Sequence, residues 1–104
     1  MTTIGCHDII SIMIKSFKHK GLESFYTTGS LRGIQAKHAE RLTELLMALN
    51  MATEVNDLSS PSYRLHPLKG DLKGLWAVTV QANWRLTFEF NDQNVYILDY
   101  QDYH

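Results

Sequence analysis

Trp84-Arg85-Leu86-Thr87-Phe88-Glu89-Phe90 alternates large apolar and polar residues without a break. A period of two marks a β-strand with one buried face, because successive side chains leave opposite sides of the pleat. Trp84, Leu86, Phe88 and Phe90 therefore share a core-facing side, and Arg85, Thr87 and Glu89 share the other, which sends Arg85 away from the core. Upstream, Trp76-Ala77-Val78-Thr79-Val80 reads as the partner strand. The intervening Gln81-Ala82-Asn83 is short enough for a hairpin, although it lacks the Asn-Gly that accepts positive φ most readily. Downstream, past Asn91-Asp92-Gln93-Asn94, Val95 to Tyr103 makes a last strand. Tyr63 to Leu68 reads as a strand interrupted by Pro67 or held by it to a sheet edge, since proline has no N–H for a ladder.

The period changes in the first half of the chain. Ala39, Leu42, Leu45, Leu46 and Leu49 recur at helical spacing and predict a helix over about Ala36 to Met51. Its outer face carries Lys37, Glu40, Arg41 and Glu44 as opposite-sign pairs three residues apart. A shorter helix is expected from His19 to Tyr26, with Leu22, Phe25 and Tyr26 on one face and Thr27-Thr28-Gly29-Ser30 ending it. Ile14 to Phe17 reads as a short first strand, and Asn56 to Ser62 as a loop broken by Ser59-Ser60-Pro61-Ser62. The sum is an α+β domain: one strand, two helices, then an antiparallel meander with the helices covering one face. The polar face of that sheet is a natural ligand platform.

At 104 residues the chain has room for a single domain. Its 44% hydrophobic and 20% charged residues are globular values that disfavour disorder and membrane spanning. Cys6 is the lone cysteine, which excludes an internal disulfide and points to a reducing cytoplasm. The apolar run Ile9 to Ile14 lacks a basic leader and is too short to cross a bilayer. The net charge of −1 conceals an uneven distribution. Lys15, Lys18, Lys20, Arg32, Lys37 and Arg41 face only Glu23 and Glu40 in their stretch, and Arg64, Lys69, Lys73 and Arg85 face only Asp71 in theirs. That pattern suits either a surface that follows a phosphate backbone or an ordinary mixed surface.

Met13-Ile14-Lys15-Ser16-Phe17, Ile34-Gln35-Ala36-Lys37-His38-Ala39, His66-Pro67-Leu68-Lys69-Gly70-Asp71-Leu72-Lys73-Gly74, Trp76, Asn83-Trp84-Arg85 and the ending Asp102-Tyr103-His104 occur in an order and spacing that resemble the HigB branch of the RelE/ParE toxin superfamily. The resemblance covers all but residues 1–12, which read either as an upstream start or as an extension lengthening the first strand. It implies the toxin of a type II toxin–antitoxin system that cleaves translated messenger RNA on the ribosome, by in-line 2′-hydroxyl attack without a metal or other cofactor. It implies as partners a HigA-like helix-turn-helix antitoxin, the ribosome and mRNA, with operator DNA reached only through the antitoxin, and no membrane. Carried over position by position, it implies His66, Lys69, Arg85, Asp102, Tyr103 and His104 as the catalytic set, with Arg64 and Lys73 binding substrate.

Those residue types suit the chemistry. Cleaving RNA without a metal needs a base for the 2′-hydroxyl, cations for the charge on phosphorus, and an acid for the leaving 5′-oxygen. Imidazole titrates near neutrality, which favours His66 and His104, with Asp102 as base or orienter. Lys69 and Arg85 can clamp phosphate oxygens, Arg85 with a bidentate fork, and Tyr103 can stack on a base or place a hydroxyl near the phosphate. Each also has a plain structural reading: His66 bonding a loop, Lys69 and Lys73 solvated beside glycines, Arg85 pairing with Glu89 or Asp99, and residues 102–104 as a loose tail. A zinc site of His66, His104 and Asp102 is disfavoured by the neighbouring cations. His7, His19 and His38 are given no role, and His19 and His38 are expected at the surface. Two further readings remain, a ParE-like toxin that binds DNA gyrase without cutting RNA, and a silent member that binds its antitoxin as a co-repressor.

Overall fold

The computed structural model describes residues 14–102. Its alternating segment becomes β3 (Trp84–Asn91), flanked by β2 (Trp76–Gln81) and β4 (Asn94–Asp102), with the two-residue β1 (His66–Pro67) outside β2. All pairings in the order β1-β2-β3-β4 are antiparallel. Ahead of the sheet come α1 (Lys20–Thr28) and α2 (Ala39–Met51), the latter led in by a 3-10 turn at Ala36–His38. The expected α+β meander is therefore the fold.

The core lies between α2 and one sheet face. Leu42, Leu45, Leu46 and Leu49 of α2 join Val78, Leu86, Phe88, Leu98 and Tyr100 of the strands in one cluster, all at 4% exposure or less. Burying a large side chain of this kind contributes about 1.5–3 kcal/mol relative to leaving it in water. α1 adds Leu22, fully buried, with Phe25 and Tyr26 packed at the margin. His19 caps α1 by accepting the Leu22 N–H on Nδ1 at 2.9 Å. The helix runs two residues past Tyr26 and ends at Gly29, whose φ of 81° lets its N–H reach back to the Phe25 carbonyl at 2.9 Å.

Three details depart from the sequence reading. Ile14 and Phe17 form isolated bridges parallel to β4, to Val95 and Leu98, so this segment lines the β4 edge without becoming a full strand. The strand expected over Tyr63–Leu68 shrinks to His66–Pro67. Pro61–Tyr63 is a 3-10 turn ending at Arg64 in the left-handed region (φ 52°, ψ 46°), which breaks any extended run before Leu65. The stretch taken as loop, 56–62, is shaped by that turn and by another at Val55–Leu58. Here Asp57 Oδ2 accepts the Thr53 and Glu54 N–H groups.

The hairpins find positive φ without glycine. Ala82 takes φ 54° in the β2–β3 loop, and Asp92 and Gln93 take 53° and 67° between β3 and β4, the two-positive pattern of a type I′ turn. β4 also carries a bulge. Thr87 pairs with Asp99 and Glu89 with Tyr96, so Phe88 faces both Ile97 and Leu98. Ile97 absorbs the extra residue at φ 47°, with its N–H on Ser16 Oγ at 2.8 Å. The extra residue shifts the alternation by one, which puts Val95, Leu98 and Tyr100 all in the core.

Candidate active site

The register of the sheet assembles the polar face. His66, Ala77, Thr87 and Asp99 are successive cross-strand partners in one row, and Thr79, Arg85 and Gln101 form the row beside it. Arg85 leaves the core as its place in the alternation requires, and its Nη1 lies 3.5 Å from His66 Nε2. On the other side of the ring, His66 Nδ1–H donates to the Arg64 carbonyl at 2.8 Å. That bond holds the proton on Nδ1 in the neutral ring and leaves the Nε2 lone pair facing Arg85. The left-handed turn at Arg64 is what aims its carbonyl at the ring.

An open groove of about 820 Å³ runs over this pair, lined by Arg64, Leu65, His66, Thr79, Ala82, Asn83 and Arg85. The structure thus brings together Arg64, His66 and Arg85 of the residues singled out in the sequence. Lys69 and Lys73 stand exposed at the two ends of a 3-10 turn, Gly70–Leu72, in the loop from β1 to β2. Leu68 N–H to the Leu75 carbonyl, at 2.8 Å, closes that loop, and Gly70 and Gly74 supply φ of 67° and 101°. Asp102 ends β4 exposed and pairs with Trp84, so the alternation of β4 gives the polar face to Gln101 and the opposite one to Asp102. Tyr103 and His104 lie outside the described residues.

Two assignments change. Arg41, counted among the cations of a phosphate-facing surface, is engaged inside the protein. It donates to the carbonyls of Ser62 (2.7 Å), Thr79 (3.3 Å) and Val80 (3.3 Å), pairs with Glu44 at 3.4 Å, and sits 5.2 Å over the Tyr63 ring. His38, expected at the surface, is 1% exposed. Burial, the largest influence, and the nearby Lys37 charge lower its pKa below 6.5, against a hydrogen bond to the Gln81 side chain that raises it. The leucine spacing placed residue 38 beside the helix and said nothing of the aromatic wall, Trp84 and Tyr100, that closes over it. His19 is half-buried as the α1 cap, and His7 is outside the described residues.

Groove residues that the sequence reading missed are Thr79 and Asn83, with Gln101 beside Arg85. Thr79 between Val78 and Val80 was visible as the outward member of an alternating triplet. Gln101 was not, because the bulge at Ile97 shifts the count along β4.

Residues 15–104 match the family model for the RelE-like toxin of type II toxin–antitoxin system HigB. The chain is 50% identical over 92 residues to Endoribonuclease HigB of Proteus vulgaris, covering 88% of this chain and 100% of that one. Among solved structures, the YoeB-YefM complex from Staphylococcus aureus contains a similar fold, with a TM-score of 0.59 at 18% identity over 88% of this chain and 97% of the other. The chain belongs to the HigB-like family of RelE-like toxins.

Proposed function

We propose that this toxin, an endoribonuclease, cuts translated messenger RNA on the ribosome by in-line attack of a 2′-hydroxyl on the adjacent phosphorus. The proton of that hydroxyl passes to a base as the 2′-O–P bond forms, and an acid protonates the 5′-oxygen as the P–O5′ bond breaks, leaving a cyclic phosphate and a 5′-hydroxyl. The observation that carries the reading is the Arg85–His66 contact of 3.5 Å beneath an open groove. In it, a ring nitrogen whose lone pair, in the neutral ring, faces Arg85 stands beside a guanidinium able to fork onto phosphate. Arg64 lines the same groove and adds a second cation for the strand. Lys69 and Lys73 extend the positive surface along the neighbouring loop and hold flanking phosphates.

Asp102, Tyr103 and His104 complete the set in this proposal. His104 exchanges the other proton of the reaction, Tyr103 stacks on a base or sets a hydroxyl near phosphorus, and Asp102 orients the His104 imidazole. No cofactor takes part. Membership of a toxin–antitoxin family carries an antitoxin as partner, and we assign that partner to the HigA-like helix-turn-helix class, through which alone operator DNA is reached. The setting is the cytoplasm, and among the described residues no helix is long and apolar enough to cross a membrane.

Sequencing RNA ends from cells that express the wild type beside Arg85→Ala, His66→Ala, Asp102→Ala and His104→Ala tests the mechanism. New 5′ ends inside translated regions are expected for the wild type. The Arg85 and His66 variants are expected to lose them by about 10²-fold or more, in line with removal of a charge-stabilising or acid–base group. Growth arrest with a DNA-damage response and no new RNA ends would instead indicate gyrase binding, and unimpaired growth a silent co-repressor.

A further inference from the structure

The segment ahead of α1 bonds the outer edge of β4 as far as Leu98, whose N–H donates to the Ser16 carbonyl at 3.1 Å and whose carbonyl accepts the Lys18 N–H at 2.8 Å. At Lys20 the chain coils into α1 and this pairing stops. Alternation along the strand puts the next outward N–H at Tyr100, and it turns to the carboxylate of its own neighbour, Asp99 Oδ1, at 3.0 Å. What ties Tyr100 to the rest of the protein on that side is its side chain. The ring packs against Trp84, His19 and His38, with centroids at 4.5, 5.2 and 6.0 Å. Its hydroxyl accepts the Gln35 N–H at 3.3 Å and donates to His38 Nδ1 at 2.7 Å.

β4 is thereby pegged to the turn that leads into α2. The peg stands two residues, about 7 Å, before Asp102. Tyr100 and Asp102 leave the strand on the same side, and Trp84, which packs on the Tyr100 ring, is also the cross-strand partner of Asp102. We propose that Tyr100, through its hydroxyl bond to His38, is a positioning residue for cleavage that fixes the direction in which β4 delivers Asp102. The inference rests on the mechanistic role given to Asp102 above. A carboxylate that orients an imidazole has little tolerance, since a displacement of about 1 Å can cost about 10²-fold in rate. Tyr100 itself is 3% exposed on the core face and meets no substrate. His66 and Arg85, which meet the RNA in this mechanism, stand on the opposite face of the sheet. Loosening the peg therefore slows turnover and spares binding.

The test measures cleavage of a messenger bound to purified ribosomes, at a temperature where circular dichroism shows every protein folded. It compares the full chain as wild type, Tyr100→Phe, His38→Asn, Asp102→Ala and the double variant of Tyr100→Phe with Asp102→Ala. Tyr100→Phe should lower kcat by about tenfold or more at an unchanged KM. The double variant should cut no more slowly than Asp102→Ala alone, because Tyr100 acts through Asp102. His38→Asn sets an amide oxygen where Nδ1 stands, so it keeps an acceptor for the hydroxyl and should keep most of the wild-type rate. The proposal is overturned by a wild-type kcat in Tyr100→Phe, by a change confined to KM, by losses that multiply in the double variant, or by a His38→Asn variant as slow as Tyr100→Phe. An Asp102→Ala variant as fast as the wild type removes Asp102 from the mechanism and this inference with it. A wild type that cuts no RNA overturns the nuclease reading itself.

Discussion

His38 Nδ1 and the Tyr100 hydroxyl lie 2.7 Å apart in the core, joining the turn before α2 to β4 across 62 residues of sequence. The hydroxyl oxygen also accepts the Gln35 N–H at 3.3 Å, so its own proton is directed to Nδ1 and the imidazole is held neutral. Trp84 packs against both rings, at 5.6 Å from His38 and 4.5 Å from Tyr100. Tyr100→Phe keeps the ring and strips one partner from a ring nitrogen and one from a backbone N–H. It should cost about 1–3 kcal/mol in urea unfolding, the penalty for buried polar groups left unpaired. A double-mutant cycle with His38→Leu should show coupling of about 0.5–3 kcal/mol, because the second change removes the group that the first one orphans.

The same pair sets a pH dependence. The folded-state pKa of His38 lies below 6.5, mainly through burial. The unfolded chain thus binds a proton at a pH where the folded protein still refuses it. The contribution to stability is complete above pH 6.5 and is lost as pH falls through 6.5 toward the lower folded value. Tyr100 has the opposite sense: burial raises its pKa above 10.0, so stability declines as pH rises past 10 and the unfolded phenol ionises first. Unfolding midpoints measured from pH 7.5 down to 5 should fall less steeply for His38→Gln than for the wild type. Equal slopes would show that His38 is not the group responsible.

Arg64 serves twice, and substitution can separate the roles. Its guanidinium lines the groove, and its backbone sits at φ 52°, where its carbonyl meets His66 Nδ1–H. Glycine adopts that conformation without strain, whereas a β-branched residue resists it by roughly 1–2 kcal/mol. Arg64→Gly should leave the melting temperature near that of the wild type while weakening RNA cleavage through the lost charge. Arg64→Val should lower the melting temperature and the cleavage rate together. If both variants cut RNA as well as the wild type does, Arg64 holds no phosphate.

How far the sequence could be read depends on whether each signal was local. The alternation of residues 84–90 and the leucine spacing of α2 are local, and both elements formed where expected. His66 and Arg85 could be named from residue type and their meeting inferred from the family pattern, but their contact depends on two strand pairings. Positive φ at Arg64, Ala82, Gln93 and Ile97 is imposed by surrounding structure on residues that do not favour it. The Ile97 bulge matters most, since it decides that Gln101 and Asp99 face Arg85 and Thr87 while Asp102 falls opposite Trp84. A one-residue shift of this kind reverses every side chain beyond it.

Backbone proximity gives a prediction away from the groove. Gly21 in α1 and Gly33 in the following loop meet backbone to backbone, and a Cβ at Gly21 would fall 2.6 Å from the Gly33 carbonyl oxygen. No side chain is there to swing aside, so the helix or the loop must move. Gly21→Ala should therefore destabilise by roughly 1–3 kcal/mol, in the range for overpacking, even though alanine is the better helix former. Gly29→Ala provides the contrast: the added carbon meets open space, and only the left-handed φ of 81° resists it, for roughly 1–2 kcal/mol. Thermal unfolding of the two variants, with a cleavage assay as the check that the groove is intact, distinguishes clash from conformational strain.

Arg41 links the helical layer to the groove and yields a prediction in which stability and activity move together. Its guanidinium gathers the Ser62 carbonyl from the turn before Arg64 and the Thr79 and Val80 carbonyls from the end of β2. Those β2 carbonyls lie beyond the reach of the two-residue β1, whose ladder covers only Trp76 and Ala77. One planar fork thus satisfies the exposed end of β2 and ties down the segment that carries the Arg64 carbonyl toward His66. Lysine keeps the charge but has a single nitrogen and cannot span three acceptors, so Arg41→Lys should cost about 1–3 kcal/mol. It should also reduce cleavage at temperatures well below the melting transition, because the turn holding His66 loosens. Arg41→Lys tested beside Arg64→Gly decides the cause: a loss of cleavage in Arg41→Lys that returns in full on cooling reflects global stability, and one that persists reflects the position of His66.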